Sequence, residues 1–401
     1  MKPGQWAKLL FVAAPLLIGF GAGCGDFWQA PTTTTTGTCT TNCTTASSNN
    51  FYILDGGTSP GIVGNSIVSG TLTAISGSSW PIQGLPYSMS IDPAGNFLIV
   101  SSTSGVFSFP ITNGTLGTAV TVSTDQAAAV QVDTTSSWLI EAIAGTGGVT
   151  MGAIPIDPTT GAGTGTELNV SLSVPNADLQ SNQMAISGDD DNVFVALGTG
   201  GTVIVPFNAA AATGTNPFGS KYTTIGVANT GGSALSVAVD PGATPRLFYV
   251  GEVLGDTAGT SGGLRIFNYS SLGGTLTQAT GSPIASGGLA PNFVLPASTG
   301  NYVYVANGQG TSAGNIAGFT ITASSATPAV YTIATDTTTA AGEQPLGMAE
   351  DSTNTFVFEV GSAGSPYFDA FTFDSTVLGQ LDSQITSTTE GNAVAIVAAP
   401  Q

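Results

Sequence analysis

The sequence contains no histidine, and only five of its 401 residues are lysine or arginine. The first absence removes the commonest nitrogen ligand for a metal ion and the commonest catalytic base. The second is set against 24 acidic residues, for a net charge of −19, which repels phosphate backbones and excludes nucleic acid as a partner. Charged residues of both signs make up only 7% of the chain. No stretch after residue 24 carries a convincing helical period, and none of the 55 glycines sits between a strand and a helix, as a phosphate-binding loop requires.

Cysteine is also scarce, and its three positions all lie near the N-terminus. Lys2 and Lys8 precede an apolar run, "LLFVAAPLLIGF" (9–20), too short to span a bilayer, and "GAGC" (21–24) ends it on Cys24. This resembles a bacterial lipoprotein signal, which implies cleavage before Cys24 and lipidation of that cysteine. Gly21 departs from the usual leucine, and Pro15 interrupts the apolar run. Residues 1–23 are then a signal peptide and the mature protein is exported, held to a bacterial membrane only by its lipid, on the periplasmic face or the cell surface. Residues 24–50 are Thr- and Ser-rich and read as a tether. Cys39 and Cys43 within it are a disulfide candidate, since an exported chain meets an oxidising compartment. Three basic residues remain against 24 acids after cleavage, a net charge of −21.

What the chain does have is a repeated hairpin. "SIDPAGNFLIVSS" (90–102) reads as strand, turn and strand: Pro93 presets a turn, Gly95 and Asn96 tolerate positive φ, and Phe97 to Val100 form an apolar run. Copies stand at 130–142, 184–197, 237–251, 293–307 and 347–361, roughly 40–57 residues apart. Each is followed by a third strand with an aromatic, such as "GVFSFPI" (105–111), and often by a weaker fourth, such as "GTLTQAT" (274–280) or "LGQLDSQI" (378–385). A seventh unit is split between the chain ends: "NAVAIVAAP" (392–400) supplies an inner strand to "NFYILDGG" (50–57) and "GNSIVSGTL" (64–72). The expectation is an all-β, seven-bladed β-propeller of four-stranded antiparallel blades over residues 51–401. Its ring is closed by the C-terminal strand joining the N-terminal blade, which removes exposed sheet edges.

The stretch "GGTLTQATGSPIASGGLAPNFVLPASTGNYVYVANGQGTSAGNIAGFTI" (273–321) resembles the repeat of the seven-bladed lactonase-type propellers, related to 6-phosphogluconolactonase and the muconate-cyclising enzymes. The likeness is good over 235–375, looser over 84–230 and absent before residue 50. It implies the fold and, in active members, an Arg and a His after a second strand. Here the matching segment is Asn307-Gly308-Gln309-Gly310, so the implied site is not carried over.

Candidate catalytic groups are therefore few. Glu252 and Asp256 follow the second strand at 247–252, Glu359 follows "FVF" (356–358), and Arg265 lies in a third strand. Together they offer a base for water and one cation for a developing oxyanion, with convergence at a channel mouth as the test. Arg246 falls in a hairpin turn, where solvent exposure is expected. Asp189, Asp190 and Asp191 begin like a calcium loop but lack the alternation, the Gly and the final Glu of an EF-hand, and sit at a turn. No metal and no cofactor are expected. Trp80 and Trp138 are candidates for an exposed ligand-binding patch, with Trp138 more suited to the core. The favoured reading is a monomeric, non-catalytic module binding a protein or glycan at the cell envelope; the alternative is a lactone hydrolase with an atypical His-free site.

Overall fold

A computed structural model describes residues 49–400, apart from 69, 213, 243–245, 270–275, 310–311, 325–330, 364–366, 375 and 388–390. The lipobox, Cys24, Cys39, Cys43 and nearly all of the tether lie outside the described residues. Among the described residues every regular element is a β-strand.

Seven antiparallel units follow in chain order, here blades 1 to 7. Blade 1 combines the two ends of the chain: Ala393–Ala398 pairs with Asn49–Asp55, which pairs with Gly61–Val68. Blades 2, 3, 4 and 5 begin with inner strands Pro86–Ile91, Ala127–Val132, Met184–Ile186 and Ala234–Val239. Blade 6 begins at Ala290–Pro296, and its outermost strand runs without a break into the inner strand of blade 7 as Tyr331–Glu350, so the two blades form one seven-stranded sheet. The first half of that strand pairs with Ser312–Ala323 and the second with Phe356–Ala363, with shifts in register where it turns. Its N-terminal half, "YTIATDTTTAA", contains no glycine or proline to end a strand. The inner strands touch in ring order, each with the next, and Ala393–Ala398 touches those of both blade 7 and blade 2, which closes the circle.

The second strands explain why the ring holds. Phe97–Ser102, Asn192–Ala196 and Leu247–Glu252 are buried at every position, because each blade is covered on both faces by neighbours. Their Val, Ile, Leu and Phe side chains each contribute about 1.5–3 kcal/mol on burial. Apolar clusters fill the seams. Between blades 2 and 3, for example, Phe97 and Ile99 meet Leu139 and Ile154. Between blades 7 and 1, Phe51 packs on Phe358 and Phe368 with ring centroids 4.5 and 4.9 Å apart.

In blades 2, 3 and 7 the repeated hairpin is fixed by its aspartate. Asp133 Oδ1 accepts from the amides of Ser137 at 2.7 Å and Trp138 at 2.6 Å, and Asp351 Oδ1 does the same for Thr355 and Phe356. Asp92 accepts from Ala94 and Asn96, while Gly95 takes φ 73° against Pro400, a conformation closed to most side chains. A carboxylate that satisfies several amides of one turn replaces the missing ladder bonds, so these buried acids are structural.

Candidate functional site

Counted from the first residue after each turn, the second strands of blades 2 to 7 begin at Phe97, Trp138, Asn192, Leu247, Tyr302 and Phe356. Three residues further on, four of them carry valine: Val100, Val195, Val250 and Val305. Blades 3 and 7 carry Glu141 and Glu359 instead, both fully buried in the seam with the preceding blade. Two residues beyond Val250, on the same face, stands Glu252.

Glu252 and Arg265 do meet. The two strands are neighbours in blade 5, and Nη1 of Arg265 lies 3.2 Å from Oε1 of Glu252. Arg265 also donates to the carbonyl of Gly226 at 2.6 Å and to Gln278 Oε1 at 2.9 Å, and its guanidinium stands 4.9 Å from the Phe267 ring centre. The other Glu252 oxygen accepts from Ala228 at 3.0 Å. Burial raises the Glu252 pKa, opposed by the Ala228 amide and by Arg265. Gly226 and Ala228 belong to the connection leaving blade 4, so the pair ties two blades together.

Glu359 stays apart from that pair, in blade 7. It faces Asp369 across the sheet, and neither of its carboxylate oxygens has a hydrogen-bond partner. Burial first, and the neighbouring Asp369 charge second, push its pKa well above the usual value. Burial raises Asp369 too, opposed by the Thr386 hydroxyl. Asp256 is half-buried by its loop and caps it, accepting from the Thr260 hydroxyl at 2.6 Å and amide at 3.2 Å, contacts that lower its pKa. The four candidate catalytic residues therefore give one ion pair, one isolated buried acid and one loop cap.

The three aspartates at 189–191 turn to different partners. Asp189 accepts from Tyr269 of blade 5 at 2.7 Å, whereas Asp190, at φ 55°, accepts from the amide and hydroxyl of Thr134 in blade 3. Arg246 is about one-third exposed rather than free in solvent: it pairs with Asp240 at 3.0 Å, donates to the Gly300 carbonyl and lies over the Tyr331 ring. Trp138 is buried and donates to the Ala209 carbonyl at 3.0 Å, while Trp80 is half-buried against Tyr52.

Two cavities are lined by acids. The larger, about 450 Å³, lies at the turn ends of four consecutive blades: Pro93 of blade 2, Ser298 of blade 6, Glu350 and Asn354 of blade 7, and Ala399 and Pro400 of blade 1. Glu350 accepts from the Ser298 amide at 2.6 Å and its hydroxyl at 3.0 Å; burial nevertheless raises its pKa. The smaller, about 290 Å³, opens at the seam of blades 2 and 3 beside Ser123, Asp125, Ile154 and Glu167. Asp125, Glu141 and Glu167 each bring an oxygen within 4.8 Å of the others'. Burial and then Asp125 push Glu167 up to about 7; burial and then both neighbours push Glu141 well above the usual range. Sequence reasoning passed over both places. The turn-end cavity carries no motif, but two glutamates at a slot that four other blades fill with valine are visible once the hairpins are aligned.

No protein-family profile matches the sequence, and no curated protein matches it. Solved structures do share its fold. A candidate 6-phosphogluconolactonase from Bacteroides uniformis superposes with a TM-score of 0.66 at 16% identity, covering 88% of this chain and 99% of that one. A second, from Bacteroides fragilis, gives 0.65 at 14%, covering 89% and 99%. The periplasmic gluconolactonase of Pseudomonas aeruginosa gives 0.65 at 13%, covering 88% and 99%. At such identities the likeness is one of fold.

Proposed function

We propose that the protein is an exported, lipid-anchored β-propeller that binds a ligand at the cell envelope without transforming it. The observation that carries this reading is the commitment of both arginines, Arg265 to Glu252, Gly226 and Gln278, and Arg246 to Asp240 and Gly300. Opening a lactone builds negative charge on the carbonyl oxygen, and a cation or donor set has to meet it there. Both guanidiniums are already engaged in holding blades together. The remaining cation among the described residues, Lys221, lies exposed in the loop before Thr223–Ile225.

The 450 Å³ cavity supports a neutral polyhydroxylated ligand. Glu350 and Asn354, beyond their bonds to Ser298, keep further lone pairs to accept from sugar hydroxyls, while proline and alanine suit the C–H faces of a sugar ring. The acids of the cavity repel a phosphate. Export and anchoring rest on the N-terminal pattern that ends at Cys24. A second reading, lactone hydrolysis, is favoured by the fold shared with the gluconolactonase structure.

Calorimetric titration of the full chain with cell-wall and capsular oligosaccharides tests the binding reading. The expected result is a saturable heat for one class, weakened about tenfold in Glu350→Gln. Mass spectrometry of the mature N-terminus should find acyl chains on Cys24. Lactone turnover without oligosaccharide binding would favour the second reading.

A further inference from the structure

We infer that Asp125, Glu141 and Glu167 form a site for a divalent cation, calcium by preference, that clamps blade 3 to blade 2. The three acids come from separate places: Asp125 from the connection between Val120–Ser123 and Ala127–Val132, Glu141 from the second strand of blade 3, and Glu167 from just before its outermost strand, Leu168–Ser173. Their ligand atoms lie within 4.8 Å of one another. Opposite oxygens around a calcium ion, at about 2.3–2.6 Å from it, stand about 4.6–5.2 Å apart, so the set fits on one coordination sphere.

A cluster of acids alone says little, and the decisive feature is Glu141. It is fully buried, and both its oxygens lack a hydrogen-bond partner, as does Oε1 of Glu167. Other buried carboxylates are matched to amides, as at Asp133, or to a guanidinium, as at Glu252; Glu359 is as unpartnered as Glu141 but has one acidic neighbour, Asp369, where Glu141 has two within reach of a shared ion. Buried charges are paired or bind metal because desolvation is otherwise uncompensated. Gly152 is the second shaping feature. It sits between Glu141 and Asn169 across the sheet, and a Cβ there would run into Glu167 Oε1. The glycine thus leaves the floor on which the Glu167 carboxylate rests beside Glu141.

The donors are all oxygens, with no histidine or cysteine among them, which selects hard cations. Six carboxylate oxygens are available, and the cavity beside Asp125 and Glu167 provides room for water to complete the shell and a path for entry. The set carries three negative charges in a protein with few cations to spare, so a divalent ion leaves one. Asp189 and Asp190 do not offer this arrangement, because Asp189 Oδ1 accepts from Tyr269 and both Asp190 oxygens accept from Thr134.

The test is equilibrium dialysis of the full chain against ⁴⁵Ca²⁺ after treatment with EDTA, with terbium luminescence and thermal melts in parallel. The expected result is one calcium per chain, a melting temperature that rises with calcium, and at least tenfold weaker binding in Glu141→Gln and Asp125→Asn. Gly152→Ala, which keeps every carboxylate but displaces Glu167, should weaken binding as well. If Glu141→Gln does not fold, the half-buried Asp125→Asn decides. Absence of calcium, magnesium and manganese binding would overturn the proposal in favour of acids that share protons. Binding unchanged in Asp125→Asn and Glu141→Gln would place the ion elsewhere and overturn it equally. Sugar binding at the turn-end cavity is a separate readout.

Discussion

Glu359→Val should raise the melting temperature, and raise it more at pH 7 than at pH 4. Glu359 is fully buried, neither oxygen has a hydrogen-bond partner, and Asp369 stands directly across the sheet. Its pKa is raised from 4.5, first by burial and then by Asp369. A carboxyl raised in the folded state contributes most below its unfolded value, and that contribution is lost as pH rises through the folded value. Above about pH 5 the protein therefore carries a growing penalty at this position, and at pH 4 it carries less. Valine is the residue at the same slot in blades 2, 4, 5 and 6, and it fills nearly the same volume as glutamate. Removing an uncompensated buried polar group relieves about 1–3 kcal/mol. With an unfolding entropy of about 2.1 cal/mol/K per residue over about 350 residues, that corresponds to a gain of about 1.5–4 °C. Melts of both proteins by circular dichroism at pH 4 and pH 7 decide. A lower melting temperature at pH 7 would refute the reasoning, as would an equal gain at both pH values, which would trace the effect to packing.

Arg265→Ala should destabilise the protein by about 3 kcal/mol, because it strands Glu252, whose side chain is only 3% exposed. The double variant with Glu252→Gln should recover most of the loss, and urea unfolding of the three chains measures it. Deleting residues 392–401 should abolish the monomer. It removes the inner strand of blade 1 and bares the edge of Asn49–Asp55, which size-exclusion chromatography would register as aggregation.

The propeller was legible because its signals are local and repeated. An aspartate or its equivalent at the turn, a valine-rich second strand and an aromatic third strand recur often enough to count blades, and "NAVAIVAAP" declares itself an inner strand without a partner. The continuous strand from Tyr331 to Glu350 was not legible, since nothing in "YTIATDTTTAAGEQ" says that one blade will flow into the next. Spacing did bring Glu252 together with Arg265, yet it could not tell a seam ion pair from a catalytic one. That distinction depends on Gly226, Gln278 and Ala228, which lie 13 to 39 residues from Arg265 or Glu252 and meet the pair only in the fold. Asp125, Glu141 and Glu167 assemble from three elements around a glycine. Only the exceptional glutamate among valines hints at them.

The most direct measurement of the central claim, that the charged groups of this propeller serve structure and binding, is proton release at constant neutral pH. The full chain would be assayed against sugar lactones and simple lactones with buffer as reference. The account predicts no hydrolysis above the buffer rate for any of them. Hydrolysis that disappears in Glu252→Gln or in Arg265→Ala, with both variants shown to be folded, would contradict it and make the seam pair a catalytic site.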